Sequence, residues 1–348
     1  MMKNSEAMAI TKAIREWLVI HLPQMRSCST HTLKAYRDAL KLYIDFLEVV
    51  KSIDHQTLSA KCFDSVMIEE WIAWLKNNRG CGNSTCNHRL ASIRSFLKYI
   101  AHRDVRFIEQ ENKSANIKFM RVAKKEFVEV TQYAMKALFA APDLSRKIGK
   151  RDFALFNLMY NTAARINEVL SLRIRDLHLD EECGRNYIII WGKGSKVRTV
   201  FLLPEVVRVM KSYIKQFHGS SPDENRLLFY SSVGEESHKL TQEAVNKRLK
   251  AYVLIARNNC PQIPMNLHCH NLRSARATHW LEQGLNIVMI QKLLGHENIN
   301  TTMRYLGISI AQKAKAIETL EDEVAKNATK KWKKVKKDSS LSEILGLK

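Results

Sequence analysis

The sequence predicts a mainly α-helical chain of two domains, with one small β-sheet or hairpin inside the second. Three observations carry this. At 348 residues the chain exceeds the roughly 100–200 residues of a single domain, so about two are expected. Apolar residues recur at helical spacing through most of its length, the mark of helices with one buried face. A single stretch between Arg185 and Leu203 breaks that period with β-formers around a glycine-containing turn. Hydrophobic residues make up 45% of the chain and charged residues 26%, enough to build a core and too apolar for global disorder.

In chain order, Ile10, Ile14, Trp17 and Leu18 mark a first helix. Leu33, Tyr36, Leu40, Ile44 and Leu47 mark a second, behind Ser29 and Thr30 as candidate N-caps. Val66, Trp71, Trp74 and Leu75 define a third. Leu90, Ile93, Leu97 and Ile100 define a fourth, with Arg89, Arg94 and Lys98 on its other faces. Four such helices make a small bundle over 1–111. Residues 112–128 are basic, lack a sustained apolar face and read as a linker. A second domain over 129–325 opens with Thr131 as N-cap, and Asp143 to Arg151 reads as a polar connection into a helix from Phe153 to Tyr160. Asn186 to Trp191, a turn at Gly192 to Ser195 and Val197 to Leu203 form the hairpin. Helical patterns return at Pro204 to Tyr213, Thr241 to Ala256 and from Leu272 onward. A basic tail over 326–348 holds Lys330 to Lys337 and a short apolar helix from Leu341 to Leu347.

Lys and Arg number 56 against 35 Asp and Glu, a formal net charge of +21, which points to a polyanionic partner, nucleic acid or an acidic surface. No run approaches the roughly 18 apolar residues that span a bilayer. Residues 7–22 are apolar but broken by Lys12, Arg15 and Glu16, unlike a signal-peptide core. Seven scattered cysteines suit free thiols in a reducing compartment. A cytoplasmic, nucleoid-associated protein is expected.

Three clusters in the second domain could carry chemistry. Arg165 follows two alanines and precedes Ile166, Val169 and Leu170; alone, it fits an ion pair with Glu168 or Glu182. Lys193 sits in the hairpin turn, where a lysine is usually solvated but can reach into a groove. The third cluster is dense: His268-Cys-His270-Asn-Leu-Arg273, then Leu294-Gly295-His296, then Tyr305. His270 and Arg273 share a helix face, and Gly295 is placed to end a helix from Ile287 to Leu294 and fix His296 just beyond. Tyr305 follows in a helix opened by Asn300 and Thr301. Singly, His296 reads equally as a turn histidine and Tyr305 as a core aromatic. Cys260, His268, Cys269 and His270, or Cys81, Cys86 and His88, lack paired metal-ligand spacing, so no metal or other cofactor is expected.

The order of these pieces, Arg165, Lys193, His270-x-x-Arg273, Gly-His296 and Tyr305, resembles the catalytic set of the tyrosine recombinase (phage integrase-like) family. The resemblance spans Thr131 to Tyr305. It extends through Thr32-x-x-x-Tyr36 and Arg89 to Phe96, which resemble the family's core-binding domain. Thr162-Ala-Ala-Arg165 departs from the family's frequent Thr-Gly-Leu-Arg, and Ser274 stands where a histidine often follows the arginine; neither change touches a candidate catalytic position. The resemblance implies an N-terminal helical, SAM-like core-binding bundle joined to a mixed α+β catalytic domain. It implies a site-specific recombinase that cuts and rejoins DNA through a 3′-phosphotyrosyl intermediate, independent of metal and ATP. Tyr305 would be the nucleophile, His270 the general base, Lys193 the general acid with Lys196 and Lys150 as substitutes, Arg165 and Arg273 the clamps on the phosphate oxygens, and His296 a phosphate ligand or orienting group.

The implied partners are double-stranded DNA at specific core sites, a homo-tetramer on two such sites, and accessory DNA-bending or directionality proteins. No arm-binding domain is expected ahead of the bundle, and the lysine-rich tail favours a mobile-element integrase or transposase. A chromosome-dimer resolvase, a type IB topoisomerase and a non-catalytic DNA-binding protein are the alternatives. Leu341, Ile344, Leu345 and Leu347 form an apolar stripe that, on the same resemblance, docks on a neighbouring protomer, with packing on its own domain as the competing reading. Deleting residues 338–348 is expected to impair cooperative synapsis while sparing single-site DNA binding; unchanged recombination would reject docking in trans.

Overall fold

The computed structural model describes residues 2–25, 28–123, 129–179, 185–192, 196–233, 236–303 and 305. The chain divides into two compact units, Met1–Lys125 and Glu126–Lys348. Lys193 and the lysine-rich tail lie outside the described residues.

The first unit is helical: α1 (Met2–Glu16) running into a π-helical stretch (Trp17–Met25), then α2 (Thr30–Val49), α3 (Ser65–Asn77), α4 (Asn83–Ala101) and α5 (Ile108–Ala115). Its core is aromatic, with Trp17, Tyr43, Phe46, Phe63, Trp71, Phe96 and Phe107 all buried. Buried aromatic rings with polar tips need partners: the Tyr43 hydroxyl donates to the Cys62 carbonyl (2.6 Å) and the Trp71 indole to that of Leu42 (3.2 Å). Ser29 is the N-cap of α2, its side chain accepting from the Thr32 N–H (3.2 Å). Three details differ from the sequence expectation. A fifth helix, α5, runs through Ala115, so the segment expected to be linker from residue 112 begins inside a helix. Val66 is exposed, because it falls in the first turn of α3 on the side away from Ile68, Trp71 and Ile72. Arg94 turns inward, its Nε donating to the Ser114 carbonyl (2.8 Å) and its Nη2 to that of Ile117. This arginine pins the chain beyond α5 onto α4, and Ile117 and Met120 pack on the first unit's core.

In the second unit, α6 (Gln132–Ala140) is capped by Thr131, whose hydroxyl accepts from the Ala134 N–H (3.1 Å). The central helix α7 (Lys147–Thr162) buries Leu155, Phe156, Leu158 and Met159. It starts earlier than Phe153: Arg151 and Asp152 are helical and buried, so the polar connection is shorter than its composition suggests. A one-turn helix, α8 (Ile166–Val169), leads to an antiparallel sheet ordered β1 (Leu177–His178), β2 (Tyr187–Trp191), β3 (Val197–Phe201). The β2–β3 register pairs Ile188 with Val200 and Ile190 with Arg198 on the inward face. α9 (Pro204–His218) follows, then a second hairpin, β4 (Tyr230–Val233) and β5 (Glu236–Lys239). Its largely polar sequence carries no strand pattern from which the hairpin could be expected. α10 (Gln242–Ala256), α11 (Cys269–Glu282), α12 (Ile287–Leu294) and α13 (Ile299–Met303) complete the unit, with α11 lying against α7.

Asp152 shows how this core tolerates charge. Its carboxylate accepts from Arg151 (Nη2, 2.9 Å), from Arg248 and from the Tyr252 hydroxyl (2.9 Å). Removing one member of a buried ion pair leaves the others uncompensated, at about 3–5 kcal/mol. Asp152→Ala should therefore lower the unfolding free energy of the second unit by about 3 kcal/mol in urea titration; an unchanged midpoint would show that the arginines find other partners.

Candidate active site

Arg273 lies at the centre. One turn into α11 it is only 1% exposed, and a buried guanidinium must find acceptors for its donors. Nη1 donates to the Ala163 carbonyl (2.8 Å), and Nη2 to the Leu294 carbonyl (2.7 Å) and to Nε2 of His296 (2.8 Å). Ala163 is the C-cap of α7 and Leu294 the last residue of α12. Helix C-termini carry unpaired carbonyls and the negative end of the peptide dipoles, so two helices aim their negative ends at one cation. Burial, then the like charge of Arg165, pushes Arg273 down to about 10, which leaves it charged at neutral pH.

Gly295 makes the next element. At φ +65° it ends α12 in the left-handed conformation, with the His296 N–H donating to the Gln291 carbonyl and the Gly295 N–H to that of Lys292 (both 3.1 Å). This is a Schellman termination, and it presents His296 to Arg273. Arginine has no acceptor, so Nε2 of His296 accepts and Nδ1 carries the proton, donating to Thr302 Oγ1 (2.8 Å); the tautomer is assigned from this network. Burial, followed by the charges of Arg273 and Arg165 and then His270 and Arg198, lowers His296 to about 4. The imidazole is neutral under ordinary conditions.

Arg165 caps α8, its backbone N–H donating to Glu168 Oε2 and its Nη1 to Oε1 (both 2.9 Å). Of the two candidate partners, Glu168 pairs with it, and Glu182 lies outside the described residues. The pair is not a surface one, for Glu168 is 8% exposed. Burial favours the neutral acid, but hydrogen bonds and charge from Arg198, with Arg165, outweigh it and hold the carboxyl below its ordinary range. Arg198, absent from the sequence-predicted set, reaches the same carboxylate through Nη1 (3.2 Å) and Nη2 (2.6 Å). The signal was there: alternation in β3 puts position 198 on the inward face, where an arginine needs a buried partner.

Tyr305 is buried with Ala163, Ala277, Trp280, Ile290 and Leu294. Its ring lies nearly parallel to that of His296, 16° apart with centroids separated by 6.3 Å, and Tyr305 favours the charged form of Arg273. His270, exposed in the first turn of α11, is close enough to His296 to influence its protonation. The structure therefore brings Arg165, His270, Arg273, His296 and Tyr305 into one neighbourhood. Lys193 falls outside the described residues; Lys196 pairs with Glu297 (2.6 Å) and Lys150 lies in the first turn of α7. Among the described residues no cluster of His, Cys, Asp and Glu could hold a metal, no disulphide joins the six described cysteines, and no helix is long and apolar enough to cross a membrane.

Among the described residues, three guanidinium groups, one carboxylate and a neutral imidazole beside a phenol leave a local surplus of positive charge, the electrostatics of an anion site that can stabilise charge developing on a substrate. Comparison with known proteins agrees. Residues 129–311 match the model of the phage integrase family, and residues 14–104 that of the phage integrase N-terminal SAM-like domain. The tyrosine recombinase XerC of Chlamydia caviae is 26% identical over 311 residues, covering 86% of this chain and 95% of its own. Among solved structures, the XerH site-specific recombinase bound to its difH substrate superposes with a TM-score of 0.62 at 22% identity, over 85% of this chain and 81% of that one. The Tn1549 transposon integrase in complex with transposon right end DNA gives 0.61 at 17% identity, over 87% and 98%.

The His296 environment has a measurable consequence. Above its ordinary 6.5 the imidazole is neutral whether folded or unfolded; as pH falls from there toward about 4, the unfolded chain takes up a proton that the folded chain refuses. Buried His279 is shifted in the same direction. Stability should fall across that window, and the His296 resonances should titrate near 4 by NMR, with Nδ1 protonated at neutral pH; a midpoint at the ordinary value would contradict the arrangement.

Proposed function

This chain belongs to the phage integrase family and is a tyrosine-type site-specific recombinase, and from that premise we propose that it cuts DNA by attack of the Tyr305 hydroxyl on a backbone phosphorus, leaving a 3′-phosphotyrosyl bond and a free 5′-hydroxyl. The supporting observation is the phenol's place beside a surplus of guanidinium charge.

The displacement spreads negative charge over the two non-bridging oxygens. Arg165 and Arg273 are planar, permanently charged forks suited to those oxygens. Arg273 is already held by two helix ends, so little reorganisation accompanies the reaction. A free phenol has a pKa near ~10, so its proton must leave as attack proceeds; exposed His270 is the base that receives it and can return it on reversal. His296 is neutral and its Nε2 faces Arg273, which supports the orienting role over direct protonation of substrate. Lys193 is the proposed acid that protonates the departing 5′-oxygen. The linkage keeps the energy of the broken bond, so a 5′-hydroxyl from a second strand reseals it without ATP, and the guanidinium charges take the place of metal.

The substrate we infer is double-stranded DNA at specific core sites, bound by a core-binding bundle (1–111) and by a catalytic domain (129–325) joined to it by a basic linker, with strand exchange in a homo-tetramer on two sites. The formal charge of +21 supports phosphate binding by counterion release. The biological role we favour is the integrase or transposase of a mobile element, in line with the lysine-rich tail and the likeness to a transposon integrase. Chromosome-dimer resolution is the second reading, favoured by the likeness to XerC along nearly its whole length.

Incubating the full chain with fragmented genomic DNA, trapping covalent adducts in denaturant and sequencing the attached strands would test chemistry and target together. Tyr305→Phe should abolish the adduct with binding retained, and Arg273→Ala should slow its formation about 10²–10³-fold. An adduct that survives Tyr305→Phe would overturn the proposal.

A further inference from the structure

We propose that Arg198 is a positioning residue for DNA cleavage, one that keeps Glu168 from neutralising Arg165. This rests on the function proposed above. Arg198 occupies an inward position of β3 opposite Ile190, its side chain is 14% exposed, and both its terminal nitrogens are closed on Glu168. It is therefore poorly placed to touch DNA itself. What it does touch matters more. A carboxylate offers about four lone-pair sites, and here they are filled by four donors: two from Arg198, the Arg165 backbone N–H and a single side-chain nitrogen of Arg165.

That division of the carboxylate decides what Arg165 can do. The Arg165 side chain is 47% exposed and spends only Nη1 on Glu168, so the rest of its fork can face a phosphate. With Arg198 removed, the two acceptor sites it fills fall open, in a pocket where Glu168 is buried. Arginine and carboxylate prefer the bidentate, fork-to-fork arrangement, and the nearest fork is that of Arg165. Glu168 would then draw Arg165 into a closed ion pair and cancel the charge that an anionic substrate requires.

Arg198 also braces the turn before His296. A Cβ built on Gly295 would lie 3.3 Å from Arg198 Cδ and 3.4 Å from its Nη1. The same guanidinium that holds Glu168 thus lies against the left-handed residue that orients His296, linking Arg165 on α8 to His296 after α12. Lysine cannot replace it: its ammonium is a single point charge, and one carboxylate oxygen would be released.

The test is single-turnover cleavage of a nicked duplex built on the sequence recovered from the wild-type adduct. Arg198→Met, which keeps the bulk of the stem, should slow adduct formation about 10- to 100-fold, the scale of a misplaced catalytic group, with the Kd for the duplex within about twofold. The diagnostic arm is the double variant Arg198→Met/Glu168→Gln. With no carboxylate left to capture Arg165, it should cleave faster than Arg198→Met alone, a gain that mere loss of packing cannot produce. Should Arg198→Met lower the melting temperature, Arg198→Lys carries the same comparison, severalfold slowed and again relieved by Glu168→Gln. A wild-type rate for the single variants, or a double variant slowed further, overturns the inference while leaving the proposed function standing. A wild-type chain that yields no Tyr305-dependent adduct removes the proposed function, and this inference with it.

Discussion

The arrangement depends on one buried positive charge that no carboxylate directly neutralises. Arg273 reaches only carbonyls and an imidazole among the described residues. Burying an ion without compensation is costly, and the compensation here is dipolar: the carbonyl ends of α7 and α12 and a histidine in the accepting tautomer. That choice has a chemical consequence. A carboxylate partner would have stabilised the guanidinium just as well and would have cancelled its charge. Helix ends hold it in place and leave its field available to an anion.

Two backbone features make the two helix ends available. Gly295 turns left-handed to close α12, as its sequence position foretold. Ala163 does the same at the end of α7, with φ +48°, although it carries a Cβ that disfavours this conformation by roughly 1–2 kcal/mol. The resemblance drawn from sequence puts a glycine at this position in many relatives. Here the alanine methyl is fully buried beside Trp280 and Tyr305, so apolar contact offsets part of the strain, and the Ala163 carbonyl is directed at Arg273. The departure from the family pattern at position 163 thus has a structural account; for Ser274, buried in α11, the structure offers none.

What was legible in the sequence was whatever local spacing encodes. Most helices of both units, the 186–203 hairpin, the caps at Ser29 and Thr131 and the glycine termination before His296 depend on a few neighbouring residues and could be read directly; α5 could not, because its run from Glu109 to Lys113 is polar throughout and carries no apolar period. The start of α7 could not, because Arg151 and Asp152 look solvent-bound until Arg248 and Tyr252, about 100 residues away in sequence, are brought to them. The β4–β5 hairpin is hidden for a related reason: its largely polar residues form strands through pairing with each other. Within the site, order along the chain picked out Arg165, His270, Arg273, His296 and Tyr305, but not Arg198, whose importance comes from facing Glu168 across the fold.

The second unit contains two buried charge networks of opposite design, and the contrast explains their different uses. Around Asp152 the buried centre is an anion, and cations and a hydroxyl close over it from α7 and α10 until its oxygens are occupied; such a cluster can hold helices together but has nothing to offer a ligand. Around Arg273 the buried centre is a cation, the Glu168 carboxylate is taken up by Arg165 and Arg198, and the histidine is held neutral by the same field that it helps to orient. The first network is electrostatically saturated and the second is left wanting an anion. A fold that spends two helix termini, a left-handed alanine and an inward arginine to keep it so has been shaped around the negative charge that is to enter.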